Sequence, residues 1–147
     1  MAGQGIDTTL RLTLREGSIY YFAERHLTSP EPHYFIVVNS DPLAQKLLLL
    51  SVVTSQVESV KYFRRHCLET VVELTPADLA GVLTKPSIVD CNDLKEVPLA
   101  EFNARFVGRE IKSFGKDLPK PLQKALRKAI HASKILPAET KARVAKP

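Results

Sequence analysis

His33-Tyr34-Phe35-Ile36-Val37-Val38-Asn39, a polar break, then Lys46-Leu47-Leu48-Leu49-Leu50-Ser51-Val52-Val53-Thr54-Ser55-Gln56 is the stretch on which the fold turns. Both runs are rich in β-branched and aromatic residues. The break between them, Asn39-Ser40-Asp41-Pro42, is a cluster of turn formers. The pattern predicts two adjacent central strands. Four consecutive leucines do not fit a half-exposed strand, so the second strand is either covered on both faces or placed at a subunit contact. Its polar end, Thr54-Ser55-Gln56, falls where a buried strand emerges into solvent.

Working outward, Thr8 to Arg15 alternates, with Leu10, Leu12 and Leu14 on one side, which predicts a half-buried strand. Glu16-Gly17-Ser18 is a turn. The first run therefore either forms a hairpin with Ile19-Tyr20-Tyr21-Phe22 or leads into a domain that begins at Gly17. Residues 23–32 hold two prolines within three positions and form a loop that projects over a site. Thr70 to Leu74 predicts another strand. Thr75-Pro76-Ala77-Asp78 has the signature of a helix start, with the helix running to Val82-Leu83. Ser87 to Cys91 reads as a last short strand, closed by Asn92-Asp93.

After Pro98 the spacing turns helical. Leu99, Phe102 and Phe106 form one stripe, ended by Gly108. From Pro121, Leu122, Ala125, Leu126, Ala129 and Ile130 form a second, with Lys120, Lys124, Arg127, Lys128 and His131 opposite. Residues 140–147 are basic and read as a loose tail. The expected fold class is α+β, a small SH3-like β-barrel of five to six short strands followed by C-terminal helices. Residues 1–97 would form the barrel, and residues 98–147 a basic helical extension packed on the same domain.

Charge follows this division. Residues 100–147 carry 12 Lys and Arg against 4 Asp and Glu, a net of +8, whereas residues 1–99 have a net of −3. A nearly neutral body with a basic end points to an anionic partner, or else to a solvated helical face. No run approaches the ~20 apolar residues that span a bilayer, and no signal peptide is apparent at the N-terminus. A cytoplasmic protein with no membrane partner is the expectation. Cys67 and Cys91 are too few for a disulfide framework. His26, His33, His66 and His131 lack ligand spacing, so neither metal nor cofactor is expected.

Phosphate-loop, dinucleotide, nucleophile-elbow and zinc-protease motifs are missing. What the sequence offers instead is polar residues at strand ends: Arg25 and His26 in the long loop, His33 opening a strand, Thr54, Ser55 and Gln56 closing one, and Asp90 and Asn92 around Cys91. Metal-free RNA cleavage needs a base for the 2′-hydroxyl, an acid for the 5′-oxygen and a cation for the phosphorane. Histidine suits the first two roles and arginine the third.

Gly17-Ser-Ile-Tyr-Tyr-Phe, a long loop, Pro32-His-Tyr-Phe-Ile-Val-Val-Asn, the Thr54-Ser55-Gln56 strand end and Lys85-Pro-Ser-Ile-Val-Asp90-Cys91-Asn92 resemble the MazF/PemK/Kid toxin superfamily, to which CcdB is related. The resemblance spans residues 17–93. It implies an SH3-like barrel, often dimeric, in a type II toxin that cleaves mRNA without a metal and pairs with an antitoxin protein. Within that reading the candidates in this chain are His33 and His26 as base or acid, Arg25 for charge, Thr54 and Ser55 at the phosphate, and Gln56, Asp90 and Asn92 for substrate contacts. Lys124, Arg127 and Lys128 would add phosphate contacts from the basic helix. This chain has Asp90-Cys91-Asn92 where the family carries Arg, Cys and Asp. Two functions are therefore carried forward: a toxin-type endoribonuclease, and a non-catalytic module that binds nucleic acid or a protein through its basic helix.

Overall fold

The structure, a computed structural model, describes residues 5–24 and 31–147. Its strands are β1 (Ser18–Phe22), β2 (His33–Val37), β3 (Leu47–Thr54), β4 (Val71–Leu74), β5 (Ser87–Pro98) and β6 (Lys112–Asp117). Its helices are α1 (Thr8–Thr13), α2 (Pro42–Gln45), α3 (Val57–Phe63), α4 (Leu99–Val107), α5 (Lys120–Ala132) and α6 (Ala138–Ala142). The strands form one antiparallel sheet in the order β4-β5-β3-β2-β1-β6. This sheet is not closed, because β4 and β6 are its two edges. The α+β class is found, but the expected barrel is not confirmed: the strands form an open sheet with helices on both sides.

The turn at residues 39–42 is built by its side chains. The Asp41 carboxylate accepts from the Ala44 amide and Pro42 starts α2, while Lys46 takes the left-handed conformation that returns the chain to β3. Fully buried Asn39 spans the break: its amide donates to Gln45 Oε1 and to the Leu47 carbonyl, and its oxygen accepts from the Leu49 amide. These bonds fix the register of β2 on β3, Tyr34 opposite Val53 and Val37 opposite Leu50.

The leucine run lies in the middle of the sheet with both faces covered. Leu49 and Val53 face a core shared with Ile19, Ile36, Val89 and the α5 residues Leu126, Ala129 and Ile130. Leu48 and Leu50 face a second core with Leu10, Leu14, Phe22, Phe35 and Phe102. Burying each leucine contributes ~1.5–3 kcal/mol. Of the two alternatives for this strand, burial on both faces is the one found. Leu48, Leu49 and Leu50 are at most 1% exposed, so these three offer no surface to a partner.

Four expectations are corrected. Residues 8–13 form a helix: Asp7 accepts from the Leu10 amide as an N-cap, Leu10 and Leu14 are buried one turn apart, and Leu12 is 72% exposed. The Thr75-Pro76 segment makes turns and no helix. Asp78 Oδ2 accepts from both Thr75 N and Oγ1, and Leu79, Val82 and Leu83 drop into the core as a cover. β5 does not stop at Asn92 but continues to Pro98. A register shift lies between its pairing with Val53 (at Val89) and with Ser51 (at Leu94). The C-terminal residues are packed: Val144 is 4% exposed in the core, and His131 Nε2 lies 3.2 and 3.0 Å from the Val144 and Ala145 carbonyls.

The region after residue 98 is not helical throughout. Its strand β6 pairs with β1. α5 then crosses back at Gly17, whose φ of 92° lets the Gln123 side chain approach. Gln123 is buried there and donates to the Leu118 carbonyl.

Candidate functional site

One end of the sheet collects the polar strand termini. His33 is the first residue of β2, Thr54 the last of β3 and Ser87 the first of β5. The pairing of Tyr34 with Val53 and of Thr54 with Ile88 sets these termini side by side. They surround an open cleft of ≈ 350 Å³, whose lining includes His33, Thr54, Ser55, Gln56 and Lys85, together with Tyr21, Tyr34, Glu31 and Leu83.

Local bonding leaves these groups available to a ligand. The Thr54 hydroxyl accepts from the Gln56 amide at 3.2 Å, which turns the chain out of β3 and exposes Ser55 and Gln56. Gln56 stands at the N-cap of α3 with its side chain making no cap bond. Ser87 Oγ donates to the Lys85 carbonyl, so the backbone of this exposed lysine is held while its ammonium is free of ion pairs among the described residues. His33 is half-buried; its Nδ1 is itself buried, with no hydrogen-bond partner among the described residues, so Nε2 is the ring nitrogen left to meet a ligand. Burial, with Tyr21 alongside, raises the Tyr34 phenol above its ordinary value, so at neutral pH it is a hydrogen-bond donor.

The other expected site residues stand elsewhere. Asp90 Oδ2 pairs with Arg64 Nε at 3.0 Å. Asn92 is a buried junction: its amide donates to Thr70 Oγ1 at 2.7 Å and Asp90 Oδ1 at 2.9 Å, and its oxygen accepts from Ser133 Oγ at 2.6 Å. Neither lines the cleft. Lys124 and Lys128 are exposed on α5, whereas Arg127 is held by Glu16 at 2.8 Å. Arg25 and His26 lie outside the described residues. Lys85, the two tyrosines, Glu31, Thr84 and Ser87 are cleft-lining groups that sequence reasoning did not single out as site residues. The signal for Lys85 is its place just before Pro86 and a strand. For the tyrosines it is their alternation with buried Tyr20 and Phe35.

No family model matches the chain, and no curated protein matches it. Among solved structures, the chain is similar to one described as an endoribonuclease in complex with its cognate antitoxin from Mycobacterial species. The identity is 13% and the TM-score 0.53, over 84% of this chain and 97% of that one. The likeness is one of fold. Among the described residues no group of three or more His, Cys, Asp or Glu could hold a metal ion, and no helix is long and apolar enough to cross a membrane.

Proposed function

We propose that the chain is a toxin-type endoribonuclease that cuts single-stranded RNA at the His33 cleft, and that its partner is an antitoxin protein. The observation that carries the reading is that His33, Thr54, Ser55 and Lys85 line one cleft. Support also comes from the fold, which is similar to that of a chain in an endoribonuclease–antitoxin structure. His33 takes the proton of the 2′-hydroxyl, and the 2′-oxygen attacks phosphorus. The bond from phosphorus to the 5′-oxygen breaks, leaving a 2′,3′-cyclic phosphate and a 5′-hydroxyl. Lys85 offsets the charge on the phosphorane, while Thr54 and Ser55 donate to its non-bridging oxygens. Gln56 contacts the adjoining nucleotide. The 5′-oxygen takes its proton from His26 or from water.

The test is cleavage of end-labelled RNA by the purified chain with EDTA present. Wild-type protein should give cyclic-phosphate ends, and His33→Ala should lower the rate ~10²–10⁴-fold. Equal rates for the two, or no cutting by the wild type, would remove the nuclease reading.

A second reading, binding without cutting, draws on α5. Lys124 and Lys128 project into solvent with no ion pair among the described residues. If these lysines and Arg127 contact phosphates, the triple Gln variant should bind more weakly and with a flatter salt dependence.

A further inference from the structure

The two faces of the sheet treat their aromatic residues differently. Tyr20, Phe22 and Phe35 are fully packed in the core shared with α1 and α4, against Phe102 of α4. On the opposite face, Tyr21, Tyr34 and Phe114 are only half-buried, and two of the three line the cleft. Strand register puts them in a row. Lys112 of β6 is opposite Tyr21 of β1, Tyr21 is opposite Tyr34 of β2, and Tyr34 is opposite Val53 of β3. Directly opposed residues project from the same face, and Phe114, two positions beyond Lys112, joins them. The rings touch, with centroids 4.7 Å apart for Tyr21 and Tyr34, 5.3 Å for Tyr34 and Phe114, and 6.4 Å for Tyr21 and Phe114. Lys112 Nζ stands 5.3 Å from the Phe114 centroid.

We infer that this row is a nucleobase-stacking subsite. A base of single-stranded RNA lies against the Tyr34 and Tyr21 rings, beside the phosphate bound at His33 and Lys85, and Lys112 receives the phosphate on the base's other side. The inference rests on reading the cleft as an RNA site. What favours this occupant is the sequence of chemistries along the surface: a cation with hydroxyl donors at the cleft, flat π-faces in the middle, and a second cation at the sheet edge. A polyanion whose charges alternate with planar rings matches that order. Every base has a π-face, so the subsite strengthens binding with little base preference.

The experiment uses the full chain and a labelled 2′-O-methyl oligoribonucleotide, which lacks the 2′-hydroxyl nucleophile, with binding followed by anisotropy. Tyr34→Leu, which keeps apolar bulk but removes the ring, should weaken binding about tenfold, and Tyr34→Phe should restore it to within about twofold. Placing abasic nucleotides in the probe should weaken wild-type binding and leave the Tyr34→Leu variant nearly unaffected. Lys112→Gln, on an exposed edge strand, should lower the salt slope by about one contact. It serves as the test if Tyr34→Leu does not fold. Wild-type affinity in the Leu variant, an equal abasic penalty in both proteins, or an unchanged salt slope for Lys112→Gln overturns the subsite. So does a wild type that does not bind the probe. Cleavage of the matching RNA separates this inference from the nuclease reading. Binding that depends on Tyr34 without any cutting retains the subsite and removes the nuclease. Cutting with an unaltered KM in the Leu variant does the reverse.

Discussion

Replacing Asn92 with alanine should destabilise the protein without disabling the cleft. Asn92 is 9% exposed and makes three side-chain hydrogen bonds, to Thr70, Asp90 and Ser133. The first and last of these partners are themselves buried, Thr70 at 2% and Ser133 at 1% exposure, so water does not readily replace the lost amide. Each bond contributes ~1 kcal/mol net, and a buried group left unpaired costs ~1–3 kcal/mol. Thr70 can still donate to the Cys67 carbonyl, and Ser133 still accepts weakly from the Ile135 and Leu136 amides, which reduces the orphan penalty. The loss should come to about 3 kcal/mol, or about 9 °C in Tm for a domain of this size. Urea titration followed by circular dichroism measures it, and an unchanged m-value confirms that the same surface unfolds. Ser133→Ala should cost less, and the double variant less than the sum, because the two residues share one bond. A change below ~0.5 kcal/mol, joined to a loss of RNA affinity, would refute this account and return Asn92 to the substrate.

Two further outcomes follow from particular contacts. Gly17→Ala should destabilise by about 2 kcal/mol or more, since a methyl there meets the Gln123 amide, with Cδ at 2.8 Å, and φ is 92°; a thermal melt equal to wild type would contradict it. Stability should also fall at alkaline pH. Burial pushes the Cys91 thiol from 9.0 to about 12, and burial pushes the Tyr20 phenol from 10.0 to about 12 against the smaller opposing pull of Ser18 and Thr13. In both cases the fold holds the proton more tightly than the unfolded chain. Stability is therefore level below about pH 9 and decreases as pH rises from there towards about 12. Tyr20→Phe should make the decline shallower above about pH 10, and a urea midpoint that does not move between about pH 8 and 11 would sink the prediction.

The parts of the fold that could be read from sequence are those where one interaction dominates. The Leu47–Leu50 run admits little but burial on both faces, and the α4 and α5 stripes have only one side to hide. The misreadings occur where two signals compete. In Thr8–Thr13, alternation suggested a strand, yet Leu10 and Leu14 also satisfy a helical turn, and the Asp7 cap with no neighbouring strand to pair decides for the helix. β6 was invisible for the opposite reason. Lys112-Ser-Phe-Gly-Lys-Asp117 is an edge strand held by backbone bonds to β1, and it has almost no buried side chain to impose a period. It extends the sheet past β1, so that the sheet runs from β4 to β6 without closing.

The same contrast explains why some site residues were legible and others were not. A polar side chain within a sheet must be paired at once or its burial is too costly. Asp90 and Asn92 lie in the irregular part of β5 and are consumed by Arg64, Thr70 and Ser133. Thr54, Ser55 and Gln56 lie at and past the last pairing of β3, where no bond among the described residues claims the Ser55 or Gln56 side chain, and Thr54 gives up only an acceptor. The identity of these residues is similar in both places; what separates them is one step along a strand. Where a strand ends is set by pairing with neighbours distant in sequence, Tyr34 against Val53 and Ile88 against Thr54. Sequence alone could nominate Asp90 and Thr54 on equal terms, and only the register could divide them into one residue that holds the fold and one that is free to meet a ligand. Lys85 joins the second group for the same reason: it precedes the first pair of β5, it is exposed, and it lines the cleft without an ion pair among the described residues.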